Sequence, residues 1–419
     1  MRIVPTSNTA AIDRLVSRDA TRNPVVLRRV ARIVRDVRRR GDAALREWSR
    51  RLDGLEPGTA LEVDSRELRR GWRDTARDAR AAIRLAIRHV DRVAARQIPR
   101  GFIVRVHRGV TVEQRVQPLG HVGCYVPGGR HPLVSTLIMT VVPARAAGVR
   151  ELTVVCPTIT PAICCAALEA GATRVLRIGG AQAIAALAYG TRSISRADKI
   201  VGPGSAWVAA AKTLVSPDCA VEFNAGPSEI VVWSDRGRPE WIAADLIAQA
   251  EHDVDARALV VTTRPDLARA VAAAVRRRLP AGGPARRALV RHGAIIVATT
   301  APEAAALVNR LAPEHLVCDN RRDAARVTAA GTIFIGNWSA QAAGDYVTGS
   351  NHVLPTGGAS RFRGGLSAAD FVRTFTLQTL TASGLAAVGP SAIMLADAEG
   401  LSAHADSIRC RLNLETDTR

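Results

Sequence analysis

HVGCYVP at 121–127, STLIMTVVPARAAG at 135–148, ELTVVC at 151–156, PAICCAALEAGA at 161–172, RVLRIGG at 174–180, AQAIAALAYGT at 181–191, KIVG at 199–202 and SAWVAAAKTLV at 205–215 decide the fold. Short β-branched runs alternate with longer alanine-rich ones. The first kind reads as buried strand and the second as helix. Strand–helix alternation with short connections predicts right-handed crossovers and a parallel sheet, and AVEFNAG at 220–226 opens one more strand.

A second block repeats the pattern. EIVVWS (229–234), ALVVTT (258–263), AIIVAT (294–299) and TIFIG (332–336) read as strands. WIAADLIAQAEHD (241–253), DLARAVAAAVRRRL (266–279), EAAALVNRL (303–311) and DAARVTAA (323–330) read as helices. Upstream, residues 9–97 carry the helical i, i+3, i+4 spacing, as in VVLRRVARIVRDV and AAIRLAIRHVDRVAA. FIVRVHRGVTVEQRVQPL (102–119) alternates around Arg108-Gly109 as a hairpin would. From Ala368 onward the chain reads as helical, ending in SAHADSIRCRLNL. The fold class is therefore α/β: two nucleotide-fold-like, incomplete Rossmann-type parallel-sheet units with helical N- and C-terminal extensions. The expected division is 1–20 as an N-terminal extension, 21–120 plus 229–367 as a first α/β domain, 121–228 as a second, and 368–419 as a helical tail.

Composition narrows the class of protein. The 419 residues are 47% hydrophobic and 23% charged, as in an ordinary globular chain. No apolar run is long enough to span a bilayer, and MRIVPTSNTAAIDRL lacks an apolar signal core, so no membrane role and a cytoplasmic location are expected. The net charge of +20 comes almost wholly from arginine, Lys199 and Lys212 being the only lysines. Arg28, Arg29, Arg32, Arg35, Arg38, Arg39 and Arg40 alternate with Val30, Ile33, Val34 and Val37 at helical spacing. That is a solvated helix face, with no aromatic platform for bases, so nucleic acid is not an expected partner. The seven cysteines show no CxxC pair, and Cys124 reads as a small buried residue rather than a nucleophile.

Glycine turns supply a first chemical hint. Y-V-P-G-G at Tyr125–Gly129, R-I-G-G at Arg177–Gly180 and V-G-P-G at Val201–Gly204 each fall between a strand and a helix. Such turns line the ligand crevice of an open parallel sheet, and helix N-termini there favour anions. None has the G-x-G-x-x-G spacing, so alone they indicate only a nucleotide or anion site.

Four segments carry reactive groups. In Q-A-E-H, Gln249 and His252 are three apart on one helix face and could offer an oxygen and a nitrogen to one metal, although such a pair is as readily surface decoration. In A-P-E-H-L, Glu314 and His315 are adjacent candidate bases, or a charged helix terminus. G-D-Y-V-T-G-S-N-H-V-L-P-T-G-G at Gly344–Gly358 gathers Asp345, Tyr346, Asn351 and His352 in a loop with little packing purpose. E-G-L-S-A-H at Glu399–His404 places an acid and an imidazole in the tail.

Together with A-G-P-S-E at Ala225–Glu229, these segments closely resemble histidinol dehydrogenases, in the family's order and over about residues 25–415. The resemblance implies a four-electron oxidation of L-histidinol through L-histidinaldehyde to L-histidine, with NAD and one zinc ion per subunit. It implies Gln249, His252 and Asp345 as zinc ligands, with His404 the fourth, supplied across a homodimer with shared active sites. His315 matches the base for the alcohol, and Glu314 the residue that activates water on the aldehyde. Ser135, Ser228, Tyr346, His352 and Glu399 match substrate contacts. Tyr125, Pro127 and Gln182 match NAD contacts. Ser205 stands where the family has asparagine in G-P-G-N, a position that contacts the cofactor. Val221, Glu222 and Phe223 stand where I-D-M is usual. A relative on the same scaffold that oxidises another polar alcohol, such as a sulfonated diol, is the rival reading. His352, Glu399 and Ser228 argue for histidinol, because a site built for given polar groups leaves them unpaired with another substrate.

Overall fold

The computed structural model describes residues 1–17, 24–128, 132–222 and 226–413. Gly129, Phe223, Ala225 and Leu414, which enter the sequence reading, lie outside them. The strands in chain order are β1 (Arg2–Pro5), β2 (Phe102–His107), β3 (Val110–Pro118), β4 (His121–Tyr125), β5 (Glu151–Val155), β6 (Arg174–Leu176), β7 (Lys199–Val201), β8 (Ala220–Val221), β9 (Glu229–Trp233), β10 (Arg257–Thr262), β11 (Ala294–Val297), β12 (His315–Cys318), β13 (Thr332–Ile335) and β14 (Val372–Leu380). They form a five-stranded sheet β6-β5-β4-β7-β8, a six-stranded sheet β1-β11-β10-β9-β12-β13 and a three-stranded sheet β14-β3-β2. Every pairing in the first two is parallel. Pairings in the third are antiparallel. Two parallel sheets with helical crossovers are what the alternating blocks predict.

Met1–Gln97 with Leu119–Phe371 makes one compact unit, and Ile98–Pro118 with Val372 onward makes the other. In the first unit, β4 and β9 are buried along their whole length, which is why both strands read as continuous apolar runs. The helix Val134–Ala146 is buried from Thr136 to Ala144 because it packs on β4 and β5 and against the helices Arg77–Gln97 and Pro161–Ala170. The helix Pro24–Arg40 buries Val30, Ile33, Val34 and Val37, while the seven arginines of the expected basic face are exposed. Cys124 is fully buried, and burial pushes its thiol up to about 12, so it is no nucleophile.

Connectivity places the crevices. In the five-stranded sheet the chain leaves β4 for β5 and β6 on one side, then returns to β7 and β8 on the other. The strand order reverses at β4/β7, so a crevice opens at their carboxyl ends, where Tyr125–Gly128 and Val201–Gly204 lie. In the six-stranded sheet the reversal falls at β9/β12.

Several elements differ from expectation. β1 was read as part of an extension but is an edge strand pairing with β11. Residues 372–380, VRTFTLQTL, were read as helical but form β14, aligned with β3 over the whole strand. Its threonines and period of two suit a strand, and the partner β3 is distant in sequence. AVEFNAG yields only β8, and the helix expected at 323–330 shortens to Arg321–Ala324. Among the described residues no helix is long and apolar enough to cross a membrane.

Candidate active site

One cavity of about 420 Å³ in the first unit gathers most of the reactive side chains. The turns after β4 and β7 supply Pro127, Pro203, Gly204 and Ser205, and the helix Val134–Ala146 supplies Ser135 and Thr136 in its first turn. The amino ends of β9 and β12 supply Ser228, Glu314 and His315. Gln249 and His252 come from the end of the helix Pro239–Ala250, and Asp345, Tyr346 and His352 from the glycine-rich loop. The cavity thus joins the carboxyl ends of one parallel sheet to the amino ends of the other.

Glu314 and His315 are held tightly. Ala312, the C-cap of the helix Ala301–Leu311, has φ of 43° and is the only non-glycine at positive φ among the described residues. This costs about 1 kcal/mol and marks a backbone fixed by its surroundings. Glu314 is buried, and its Oε2 accepts the Glu229 amide at 2.7 Å. His315 Nδ1 lies 3.1 Å from the Glu229 carbonyl and 3.6 Å from Glu314 Oε2. Donation from Nδ1 to that carbonyl leaves Nε2 as the basic atom of the neutral ring. Nε2 is buried without a hydrogen bond, 3.7 Å from Asp345 Oδ1. Burial opposes a charge on this ring, but the charges of Glu314 and Asp345 outweigh it and hold His315 at about 10. Asp345 feels the converse: burial would raise its carboxyl, yet His315 draws it below the usual range.

The rest of the loop is also ordered. Asp345 Oδ2 accepts from Gln341 Nε2 at 2.9 Å. His352 Nδ1 lies 2.8 Å from the Asp345 carbonyl and its Nε2 3.3 Å from Thr136 Oγ1. Burial lowers the His352 pKa.

The donor set fits a divalent cation. Gln249 is 1% exposed, and both its amide oxygen and nitrogen lack a hydrogen-bond partner. Leaving a buried polar atom unpaired costs roughly 1–3 kcal/mol, so the amide calls for a ligand. His252 is exposed and uses Nδ1 towards the Gln249 carbonyl at 3.2 Å, which leaves Nε2 free to coordinate. Among the described residues no group of three His, Cys, Asp or Glu side chains is arranged to hold a metal. Within this unit the expected set brings only two of those types, His252 and Asp345, the third donor being an amide. His404, in the helix Ser402–Asn413, and Glu399, at the C-cap of the helix Ala382–Ala398, belong to the second unit and are exposed.

Two expected cofactor contacts lie behind the cavity wall. Tyr125 and Gln182 are buried. Tyr125 Oη accepts the Gly180 amide at 3.2 Å, and Gln182 Nε2 donates to Asp53 at 3.0 Å. Asp53 also accepts the Gly179 amide at 2.9 Å, so it organises the R-I-G-G turn. Neither Asp53 nor Gln341 was foreseen. Gln341 carried a signal, four residues before Asp345; Asp53, in a distant helix, carried none.

The sequence model of one protein family, described as histidinol dehydrogenase, matches residues 16–412. A histidinol dehydrogenase of Cereibacter sphaeroides is 45% identical over 398 residues, covering 92% of this chain and 91% of the relative. One of Agrobacterium fabrum is 42% identical over 396 residues, covering 92% of each. The crystal structure of histidinol dehydrogenase from Elizabethkingia anophelis superposes with a TM-score of 0.94 at 31% identity, covering 99% of both chains.

Proposed function

The chain belongs to the histidinol dehydrogenase family and is an oxidoreductase, and from that premise we propose that it oxidises L-histidinol through L-histidinaldehyde to L-histidine in the cytoplasm, using NAD and one zinc ion per subunit of a homodimer. The observation that carries the reading is the orphaned amide of Gln249, in one cavity with His252, Asp345 and the Glu314–His315 pair. Gln249, His252 and Asp345 would hold the zinc, with the partner supplying the fourth ligand from the position of His404. When bound, the cation holds the substrate's amine and imidazole, and NAD takes up one hydride in each of two steps.

His315 Nε2 accepts the hydroxyl proton of the alcohol as the aldehyde forms. It must be neutral to do so, and a cation at Asp345 removes part of the negative charge that keeps the ring protonated. Glu314 draws a proton from the water that adds to the aldehyde, and His315 takes the next proton as the gem-diol becomes the carboxylate. Ser135, Ser228, Tyr346 and His352 orient the substrate, with Glu399 of the tail. Pro127 and Ser205 of the cavity wall, backed by Tyr125 and Gln182, support NAD at the β4/β7 crevice. NADH formation with L-histidinol, set against a sulfonated diol, is the test. Two NADH per histidinol with histidine as product is the expected result; turnover of the diol alone would overturn the substrate assignment.

A further inference from the structure

The chain has 58 basic residues of the Lys/Arg kind, only two of them lysine, Lys199 and Lys212. Lys212 is buried on the helix Ala206–Val215, its side chain only 4% exposed, and its Nζ lies 2.6 Å from Glu222 Oε1. Glu222 follows β8 directly and is 1% exposed in its side chain. Between them stands Gly202. Its amide donates to Glu222 Oε1 at 2.9 Å, and its carbonyl accepts from Lys212 Nζ. Gly202 has φ of 115°, and a Cβ there would overlap the Tyr125 carbonyl oxygen, so the two turns of the β4/β7 crevice touch at this residue.

A buried ion pair is a poor source of stability, because desolvation offsets the attraction. An apolar pair of similar volume would pack the same space. What it could not do is donate to one side of Gly202 and accept from the other. The ammonium is compact and has three donors, whereas a planar guanidinium does not fit the same tripod of contacts. That explains a lysine at this place in a chain otherwise rich in arginine.

We propose that Lys212 and Glu222 are positioning residues for the cofactor: they clamp both polar groups of Gly202 and so set the turn Val201–Ser205 against the end of β4 before the cofactor arrives. The inference rests on NAD occupying the β4/β7 crevice. It also gives Glu222 a task at a position where the family has aspartate: the longer side chain reaches both Gly202 and Lys212. The Glu222 carbonyl accepts from Arg363 Nη1, which ties the clamp to the segment that follows the glycine-rich loop.

The double variant Lys212→Met/Glu222→Leu removes the grip and both buried charges together. The folded variant should keep its melting temperature and zinc content, while its Kd for NAD by calorimetry rises about tenfold or more, the worth of charge-assisted hydrogen bonds. Lys212→Arg should not restore wild-type affinity. Unchanged NAD affinity in a folded double variant overturns the clamp and leaves the NAD reading standing. A wild-type protein that binds no NAD sinks that reading, and this inference with it. Should the double variant not fold, hydrogen exchange on the wild-type protein decides. The Gly202 amide should be protected before NAD is added, and protection that appears only with NAD overturns the proposal.

Discussion

Gln249 shows how a ligand site can be read from one side chain. Its neighbours in the helix Pro239–Ala250 are apolar, and a glutamine placed there with nothing to bind would be replaced by methionine at a gain in stability. This can be measured. Gln249→Met should lose zinc by elemental analysis, as should His252→Ala. The zinc-free Gln249→Met protein should melt no lower than zinc-free wild type, and about 1 kcal/mol of added stability is expected from removing the orphaned amide. A zinc-free variant well below zinc-free wild type would mean that the amide has a structural partner instead.

The Glu314–His315 pair invites a second test at the same scale. The two side chains share an anchor, Glu229, yet offer different atoms to the cavity. Glu314→Gln keeps shape and hydrogen bonding but not the base. It should slow aldehyde-to-acid turnover by roughly 10²–10⁴-fold while sparing a first burst of NADH from the alcohol. His315→Asn should suppress that burst too. Equal slowing of both half-reactions in Glu314→Gln, followed by rapid-mixing absorbance with each substrate, would sink the division of labour.

At the scale of elements, the central strands were legible because they are buried on both faces and read as unbroken β-branched runs. The Q-A-E-H, A-P-E-H-L and glycine-loop segments were legible as motifs, and the cavity brings them together. β14 was hidden because its pairing is a long-range event, with β3 more than 250 residues earlier in the chain. The second reversal point was also indistinct in sequence. At β9/β12 the anion seat is filled from within: Asp319 accepts Ser234 Oγ at 2.5 Å and the amides of Asp235 and Arg236 at 2.8 and 3.0 Å. A carboxylate sits where a phosphate would, so of two similar sheets only β4/β7 keeps its crevice open.

Asp36 links two more elements. It accepts from Arg40 Nε at 2.8 Å on its own helix and from Trp48 Nε1 at 2.9 Å on the helix Asp42–Asp53. The Arg40 hydrogen bond, helped by Trp48, holds its carboxyl at about 2, below the usual 3.8. A depressed carboxylate contributes stability above its unfolded pKa and loses it as pH falls through the folded one. Asp36→Asn should therefore cost about 1 kcal/mol at neutral pH, after allowance for solvent screening. The cost should fade between pH 3.8 and about 2, read from urea melts at each pH. A cost that is the same at pH 2 and pH 7 would show that packing, not charge, holds the two helices.

At the scale of the whole molecule, the second unit cannot be at rest in water alone. β2 is exposed at every position, and Phe102, Ile103, Val104 and Val106 lie bare along it, with Met394 and Leu395 on the helix Ala382–Ala398. Monomers seldom leave an apolar strand of this kind open, since it invites pairing with another chain. The same unit carries Glu399 and His404, exposed and polar, whose roles in the proposed site need a partner cavity. A two-fold dimer satisfies both demands, because one surface then covers its own copy and each tail serves the other subunit. Inactive His315→Ala and inactive His404→Ala chains, refolded together, make the decisive pair. In a mixed dimer one site inherits both lesions and the other neither. With random assortment half the dimers are mixed and half their sites intact, so about a quarter of wild-type activity should return in a two-fold dimer. If each tail instead served its own subunit, every site would carry one lesion, and mixed dimers verified by mass would stay inactive.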